Sequence, residues 1–114
     1  MPDRPRLGSA AELRAAQHLQ AQGYTLVHRG FKAGRGEIDL IALDGSIIVF
    51  VEVKERLKSA QTPEEALTRD KQTRLVDAAR HYLAQVGLPE AECRFDLIAI
   101  DRSGLRHYRQ AFDP

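Results

Sequence analysis

Three carboxylates and a lysine in the middle of the chain are the side chains best suited to chemistry: Glu37, Asp39, Glu52 and Lys54. Carboxylates held close together repel one another unless a proton or a cation lies among them. Oxygen ligands suit a hard divalent ion such as Mg²⁺ or Mn²⁺ better than zinc. Such an ion activates water and neutralises charge on a phosphate, and Lys54 could position the water or stabilise that charge. This cluster therefore predicts hydrolysis of a phosphodiester bond.

A β-hairpin would bring these side chains together. Two strands are predicted, residues 37–43 (EIDLIAL) and 46–54 (SIIVFVEVK), on either side of a short turn at Asp44-Gly45. Because side chains alternate along a strand, Glu37 and Asp39 share one face, as do Glu52 and Lys54 on the partner strand. The turn predicts Glu37 opposite Glu52 and Asp39 opposite Phe50. Asp39 then becomes a diagonal neighbour of Glu52, with Cα atoms roughly 5.5 to 8 Å apart.

Each carboxylate also has a plainer interpretation. An acid at a strand end is commonly exposed beside a lysine, in an ion pair that contributes little to stability, and Glu37 beside the loop fits that description. Glu52 fits it less well, because valines and Phe50 surround it. A carboxylate is rarely buried without a partner, so Glu52 favours the functional interpretation.

A fourth acid lies on a predicted helix near the start of the chain. The helix covers residues 8–22 and ends at Gly23, which has the expected position of a C-terminal glycine. Ala15, Ala16 and Leu19 follow Glu12 at helical spacing, so Glu12 belongs to the apolar stripe. Its carboxylate either joins the acidic site or extends past the small residues to solvent.

The other elements complete one layered domain. We predict a strand at 24–31, a basic glycine loop at 32–36, a short helix opened by residues 62–65, a long helix at 69–86, and strands at 94–100 and 105–111. The order α-β-β-β-α-β-β favours an α/β or α+β sandwich around one sheet.

Length and composition narrow the class of protein. The 114 residues, with 43% hydrophobic and 29% charged residues, fit a single domain, and residues 1–6 are expected to form a flexible tail. No apolar run approaches the ~20 residues of a membrane span, and the N-terminal segment does not resemble a signal peptide. Cys93 is the only cysteine in the sequence, which excludes an internal disulfide and favours a reducing cytoplasm.

Basic side chains flank the acidic cluster, although the net charge is only +1. The candidates for contact with nucleic acid are Arg29, Lys32, Arg35, Arg56, Lys71 and Arg74. A second basic group, Arg102, Arg106, His107 and Arg109, flanks the last hairpin. Each group taken alone also fits a solvated charged face. Around an acidic pocket, however, such side chains can neutralise phosphates without reading sequence, so +1 does not exclude a nucleic-acid partner.

The spacing of the acids resembles a known motif. Asp39, twelve intervening residues and then Glu52-Val53-Lys54 are similar to the D-Xn-E-X-K core of the PD-(D/E)XK, restriction-endonuclease-like superfamily. The flanking residues 36–42 (GEIDLIA) and 49–54 (VFVEVK) resemble the YraN-like family of small uncharacterised proteins. Further matches in the first helix, the long helix and the last strands extend this resemblance from about residue 7 to residue 112.

The resemblance implies a fold, a cofactor and roles for individual residues. The fold would be a restriction-endonuclease-like αβββαβ core, with a mixed central sheet flanked by helices. Asp39 and Glu52 would bind Mg²⁺ or Mn²⁺, and the backbone carbonyl of Val53 would be a further ligand. Lys54 would be the catalytic lysine, and Glu12 would add a helix-borne acid to the site.

Two further positions extend or depart from the family pattern. Gln72 lies three and four residues before Leu75 and Val76 and resembles a supplementary polar residue on this helix. After the catalytic lysine the family usually has a small hydroxylic residue and then arginine, whereas here Glu55 precedes Arg56. The extra acid beside Lys54 could change the pKa of that lysine or shift the metal site.

We therefore expect a metal-dependent nuclease acting on DNA, including structured or branched DNA by analogy with junction resolvases of this fold class. A homodimer is expected on the same analogy. One alternative is a nucleic-acid-binding module that uses the nuclease fold without catalysis, and another is a pure interaction protein. The sequence favours the nuclease over the interaction protein, but it hardly separates the nuclease from the binding module.

Overall fold

One mixed five-stranded sheet organises the chain, and helices pack on both of its faces. The computed structural model describes residues 10–55 and 63–114. Its elements are α1 (Ala10–Ala21), β1 (Thr25–Ala33), β2 (Gly36–Asp44), β3 (Ile47–Glu55), α2 (Pro63–Ala66), α3 (Arg69–Gln85), β4 (Cys93–Asp101) and β5 (Gly104–Tyr108). The strands lie side by side in sequence order, with β3 and β4 parallel and the other pairs antiparallel. The predicted α/β fold class and element order are confirmed.

Two hydrophobic cores lie on opposite faces of the sheet. The α1-side core includes Ala15 and Leu19 of α1 with Leu40, Val51 and Ile98 of the sheet. The α3-side core includes Leu75, Ala78, Ala79 and Leu83 of α3 with Ile41, Phe50, Phe95 and Leu97. Alanines on both helices let the backbones approach the sheet closely. Within the described part of the chain, no helix has the length and apolar character needed to cross a membrane.

The first helix ends where the sequence predicts. Gly23 adopts a φ of 93°, in the left-handed region that glycine reaches without strain. The N–H of Tyr24 donates to the carbonyl of Leu19 at 2.9 Å, which satisfies one of the last helical carbonyls. Residues 1–6, predicted to be a tail, and residues 8 and 9 of the predicted helix lie outside the described residues.

The long helix is fixed at its first turn by a capping contact. The hydroxyl oxygen of Thr68 accepts a hydrogen bond from the backbone N–H of Lys71 at 3.2 Å. The helix ends before Gly87, whose φ of 76° confirms the predicted stop. The cap sets the position from which the Lys71 side chain extends toward the sheet.

The hairpin between β2 and β3 has a different register from the predicted one. Asp44 pairs with Ile47, so the two turn residues are Gly45 and Ser46 instead of Asp44 and Gly45. The predicted partners, Asp39 with Phe50 and Glu37 with Glu52, are therefore wrong by two residues. Gly45 has a φ of 63° at the first position of this two-residue turn, where a primed turn favours glycine. Nη1 of Arg94 also lies 3.0 Å from Oδ2 of Asp44, the last residue of β2. A shift of two residues does not by itself move a side chain to the other face, and Ile41 and Phe50 share the α3-side core as predicted.

The alternation of side chains along β2 breaks at Asp39. Ile38 packs in the α3-side core and Leu40 in the α1-side core, although residues two apart normally share a face. The ladder between β2 and β3 runs from Asp44 paired with Ile47 to Leu40 paired with Val51. Gly30, on the neighbouring part of β1, adopts a φ of 69°. At this break in alternation the carboxylate of Asp39 accepts a hydrogen bond from the backbone of β3, the strand that carries Glu52.

Candidate active site

A cleft of about 480 Å³ lies between α3 and the ends of β2 and β3. Its walls are formed by Lys32, Gly34, Arg35, Gly36, Glu37, Asp39, Glu52, Lys71, Arg74 and Leu75. Three of the predicted acids and four of the predicted bases therefore line one concave surface. The cleft combines an acidic floor with a basic rim, an arrangement that suits an anionic ligand neutralised from both sides.

Asp39 is anchored to β3 by its own carboxylate. Oδ2 of Asp39 accepts a hydrogen bond from the backbone N–H of Val53 at 2.8 Å. This side-chain contact lies just beyond the last paired residues of β2 and β3. It places the Asp39 carboxylate next to Glu52, the neighbour of Val53 in the chain. The two carboxyl side chains are hydrogen-bonding neighbours, and the charge of Asp39 acts on Glu52.

Glu52 is a buried carboxyl group, and its neighbours shift its pKa in opposite directions. Only 9% of the residue is exposed. Burial and the charge of Asp39 raise the pKa of Glu52 to about 7, and the ammonium of Lys71 works in the opposite direction. The pair Asp39 and Glu52 therefore favours a proton or a cation between its oxygens near neutral pH.

The ammonium of Lys71 supplies a positive charge beside Glu52. Its Nζ lies 2.9 Å from Oε2 of Glu52, and the lysine side chain remains 40% exposed. The sequence predicts Lys71 as a base that contacts nucleic acid. The structure adds an ion pair with the predicted metal ligand, which could not be anticipated without knowing how α3 lies against β3.

Val53 and Lys54 follow Glu52 on β3 and are both half-buried. Strand alternation puts Lys54 on the same face as Glu52, but Lys54 is not part of the cleft wall. The N–H of Val53 is used by Asp39. The metal-binding role of the Val53 carbonyl and the catalytic role of Lys54 stay predictions.

Glu12 lies on the opposite side of the sheet from α3. It is 8% exposed, and its neighbours on α1 belong to the α1-side core, so the predicted inward position is confirmed. Glu12 does not line the cleft. Its proposed part in the metal site is therefore still a prediction from the family resemblance.

The predicted bases divide between the two faces of the sheet. Lys32, Arg35, Lys71 and Arg74 line the cleft. Arg29 is exposed and pairs with Leu40, whose side chain is in the α1-side core, so Arg29 faces away from the cleft. Arg56 lies outside the described residues.

Gln72 bonds to the backbone of the segment between α2 and α3. Its side-chain amide donates to the carbonyl of Leu67 at 2.8 Å, which ties the start of α3 to the end of α2. Gln72 lines a second cavity, of about 380 Å³, with Arg69, Val76 and Phe112 among its neighbours. Gln72 does not line the first cleft, so the supplementary role expected from the resemblance stays a prediction.

Two glycines allow the turn between β1 and β2 to form one wall of the cleft. A Cβ on Gly36 would overlap the backbone carbonyl of Arg74, and one on Gly34 would overlap the carboxylate of Asp77. The backbone N–H of Arg35 donates to that carboxylate at 3.2 Å. The glycines of the predicted basic loop therefore permit close approach to α3, a contact between segments far apart in the chain that no local pattern indicates.

A buried polar network lies beyond the cleft, on the α1 face. Asp96 is 2% exposed and accepts hydrogen bonds from Nε of Arg94 at 2.8 Å and from the backbone N–H of Gln110 at 3.0 Å. Nε2 of His107 lies 2.7 Å from the same carboxylate. The other nitrogen of that ring, Nδ1, lies 3.2 Å from Nε2 of His18 on α1.

This network corrects the interpretation of the last hairpin. His107, grouped by sequence with bases on a charged face, is largely buried against Asp96. Arg106 pairs with Asp101 at 2.8 Å. The available signal was the alternation of Arg94 and Asp96 along an apolar strand, where two charges on one face indicate an internal ion pair.

The carboxylates of the cleft offer the type of donor atom that a hard divalent ion prefers. Asp39 and Glu52 offer oxygen atoms only, and their direct contact calls for a positive charge. Over residues 10–55 and 63–114, no group of three or more His, Cys, Asp or Glu side chains is arranged to hold a metal ion. A Mg²⁺ ion commonly keeps several waters and uses one or two carboxylates, so two acids are compatible with such a site.

The fold and the cleft define a small α/β domain with paired carboxylates beneath a basic rim. The sequence matches the family described as Uncharacterised protein family UPF0102 over residues 11–100. It is 46% identical over 97 residues to a UPF0102 protein of Symbiobacterium thermophilum, covering 84% of this chain and 82% of the relative. It is 45% identical over 106 residues to one of Dechloromonas aromatica, covering 92% and 87%. The chain belongs to the UPF0102 family, and the predicted YraN-like membership is confirmed.

Proposed function

We propose that this protein is a metal-dependent nuclease that hydrolyses phosphodiester bonds of DNA, structured or branched DNA included. The observation that supports this proposal is the direct contact of Asp39 and Glu52 inside a cleft with a basic rim. A buried carboxylate such as Glu52 is costly to maintain beside a second acid, because burial and the neighbouring charge both disfavour its ionised form. A divalent ion that offsets this cost would also act on a bound phosphate.

The proposed mechanism assigns a separate role to each residue of the acidic cluster. Asp39 and Glu52 would hold Mg²⁺ or Mn²⁺, together with the carbonyl oxygen of Val53. The ion, when bound, supplies activation of water and neutralisation of phosphate charge. Lys54 orients the attacking water on the Glu52 face of β3. Water oxygen forms a bond to phosphorus, the bond from phosphorus to one ester oxygen breaks, and the leaving oxygen takes up a proton.

The basic rim holds the backbone of the substrate. Lys32 and Arg35 approach the cleft from β1 and the following turn, and Lys71 and Arg74 approach it from α3. Contacts of this type neutralise phosphates without reading bases, so substrate choice would follow shape more than sequence. This is the basis for including branched DNA among the substrates.

The first test is cleavage of a panel of linear, flapped and branched DNA, with RNA equivalents, in Mn²⁺ and in Mg²⁺. The wild-type chain is expected to cut at least one DNA, and Glu52→Gln is expected to lower that rate by at least about a hundredfold, since it removes a charged ligand. Glu90→Gln serves as the matched control, because it changes an exposed acid between α3 and β4, at the other end of the sheet from Glu52. A panel left uncut in both metals would contradict the proposal.

The second candidate function is nucleic-acid binding without catalysis. It is favoured by the ion pair of Lys71 with Glu52, which neutralises part of the acidic site without any metal. This alternative predicts salt-sensitive DNA binding that Glu52→Gln leaves intact and that chelation does not change. Binding that requires Mn²⁺ would instead support the nuclease.

A cytoplasmic location and a homodimer belong to the same proposal. A single cysteine, Cys93, fits a reducing compartment. Cutting both strands of a duplex is readily done by two copies related by a two-fold axis. Light scattering with and without branched DNA would measure the mass, and a monomer in both conditions would contradict the dimer.

A further inference from the structure

The ion pair of Lys71 with Glu52 differs from an ordinary surface pair. The carboxylate side chain is 11% exposed, whereas the lysine side chain is 40% exposed. The ammonium thus extends from a half-exposed stem to a largely buried acid. A lysine in this position balances a charge that the protein itself has buried.

The backbone of Lys71 is held in place by its neighbours, whereas its side chain can rotate about several bonds. Thr68 caps the helix at the Lys71 N–H, and Leu75, one turn later, is buried in the α3-side core. The four-carbon stem of lysine has several rotatable bonds, so the ammonium can leave Glu52 without moving α3. The lysine also lines the cleft, which gives its ammonium a second set of positions within the same cavity.

The Lys71 ammonium and a divalent ion would use the same oxygen of Glu52. Nζ of Lys71 lies 2.9 Å from Oε2 of Glu52. A divalent ion at Oε2 would compete with the ammonium for that oxygen, because two cations on one oxygen repel each other. Binding of the ion would therefore displace Lys71.

We propose that Lys71 is a counter-ion of the acid pair that exchanges with the metal, and that the displaced ammonium binds a substrate phosphate. This inference rests on the proposed nuclease function and adds a positioning role for a helix residue. The displaced ammonium joins Arg35 and Arg74 on the rim. Metal and nucleic acid then strengthen each other's binding, and the coupling is the same in both directions.

The test compares Mn²⁺ affinity of the full-length wild type, Lys71→Met and Arg80→Met by titration calorimetry without nucleic acid. The titrations are repeated at increasing pH until the affinity no longer changes, because protons compete at Glu52, whose pKa is about 7 and is held lower by Lys71. Lys71→Met is expected to bind Mn²⁺ about tenfold more tightly than the wild type, within the usual range of coupling between sites. Arg80→Met is the matched control, because it removes an exposed base from the same helix outside the cleft wall, and is expected to change the affinity by no more than about twofold.

A second arm repeats the titration with a cleavage-resistant phosphorothioate duplex. The duplex is expected to tighten Mn²⁺ binding to the wild type about tenfold and to have little effect on Lys71→Met. Thermal unfolding confirms that each variant is folded. Equal Mn²⁺ affinities for the wild type and Lys71→Met would overturn this inference while leaving the nuclease intact. If no protein binds Mn²⁺, the proposed metal site itself is wrong.

Discussion

Asp96 and Glu52 show how the same type of side chain serves two different purposes. Asp96 receives hydrogen bonds from Arg94, His107 and the Gln110 backbone. Burial alone would raise the pKa of Asp96, but these donors outweigh it and lower the pKa. Glu52 has the opposite balance, since burial and Asp39 raise its pKa to about 7. A satisfied carboxylate stabilises the fold, whereas an under-compensated one can bind a cation.

The Asp96 network predicts a large loss of stability in Asp96→Asn. The substitution preserves shape but leaves the Arg94 guanidinium, whose side chain is 13% exposed, without its bidentate partner. Removing one member of a buried ion pair costs about 3 kcal/mol in free energy of unfolding. Chemical denaturation measures the loss, and Asp70→Asn, in an exposed pair with Arg74, is the control with a loss of at most about 0.5 kcal/mol.

The pH dependence provides a second check on Asp96. A lowered pKa in the folded state means that the stabilisation is present above the unfolded value, about 3.9, and is lost as pH falls through the folded value. His107 and Arg94 face the carboxylate, and the guanidinium of Arg94 stays charged at every pH of the measurement. The difference in stability between the wild type and Asp96→Asn should therefore narrow in acid. A constant difference down to the acid transition would contradict this account.

At the scale of elements, local patterns predict the strands and helices well, and long-range contacts decide the rest. Alternation and helical spacing place α1, α3 and the strands within a few residues. The β2–β3 register depends on which turn forms, because Asp44-Gly45 and Gly45-Ser46 are both hairpin signals and the structure has the second. The ion pair of Asp44 with Arg94 joins residues far apart in the chain, so the local pattern does not reveal it. The same holds for Lys71, whose contact with Glu52 depends on how α3 lies across the sheet.

The docking of the β1–β2 turn on α3 predicts a specific effect of Gly36→Ala. The added methyl group would overlap the carbonyl of Arg74, a backbone atom that cannot move without shifting α3. Overpacking of this kind costs about 2 kcal/mol, and it should also weaken Mn²⁺ binding in the cleft. Thermal unfolding and calorimetry measure the two effects.

Gly45→Ala is the matched control for this substitution. Gly45 has a φ of 63°, and a Cβ there meets no neighbouring atom within 4 Å. The expected cost is about 1 kcal/mol for left-handed backbone strain, with Mn²⁺ affinity unchanged. Equal effects of the two substitutions on Mn²⁺ affinity would mean that the turn does not shape the cleft.

For the whole molecule, the near-zero net charge conceals an uneven distribution. The sequence carries 17 basic and 16 acidic residues, yet three acids and four bases are concentrated on one cleft. Arg94 with Asp96 and Arg106 with Asp101 neutralise charges elsewhere. The cleft therefore has a local field that the total charge does not describe, and binding of a polyanion should depend on it.

This distribution predicts the salt dependence of DNA binding under the proposed function. If the four bases of the cleft each neutralise one phosphate of a duplex, the logarithm of the binding constant should fall with the logarithm of salt concentration at a slope of about −3 to −4. Arg35→Gln should reduce the slope by about 0.9, because it removes one contact. Arg29→Gln should leave the slope unchanged, since Arg29 faces away from the cleft. Fluorescence anisotropy over a salt series measures all three slopes, and equal reductions in the two variants would show that the interface is not confined to the cleft.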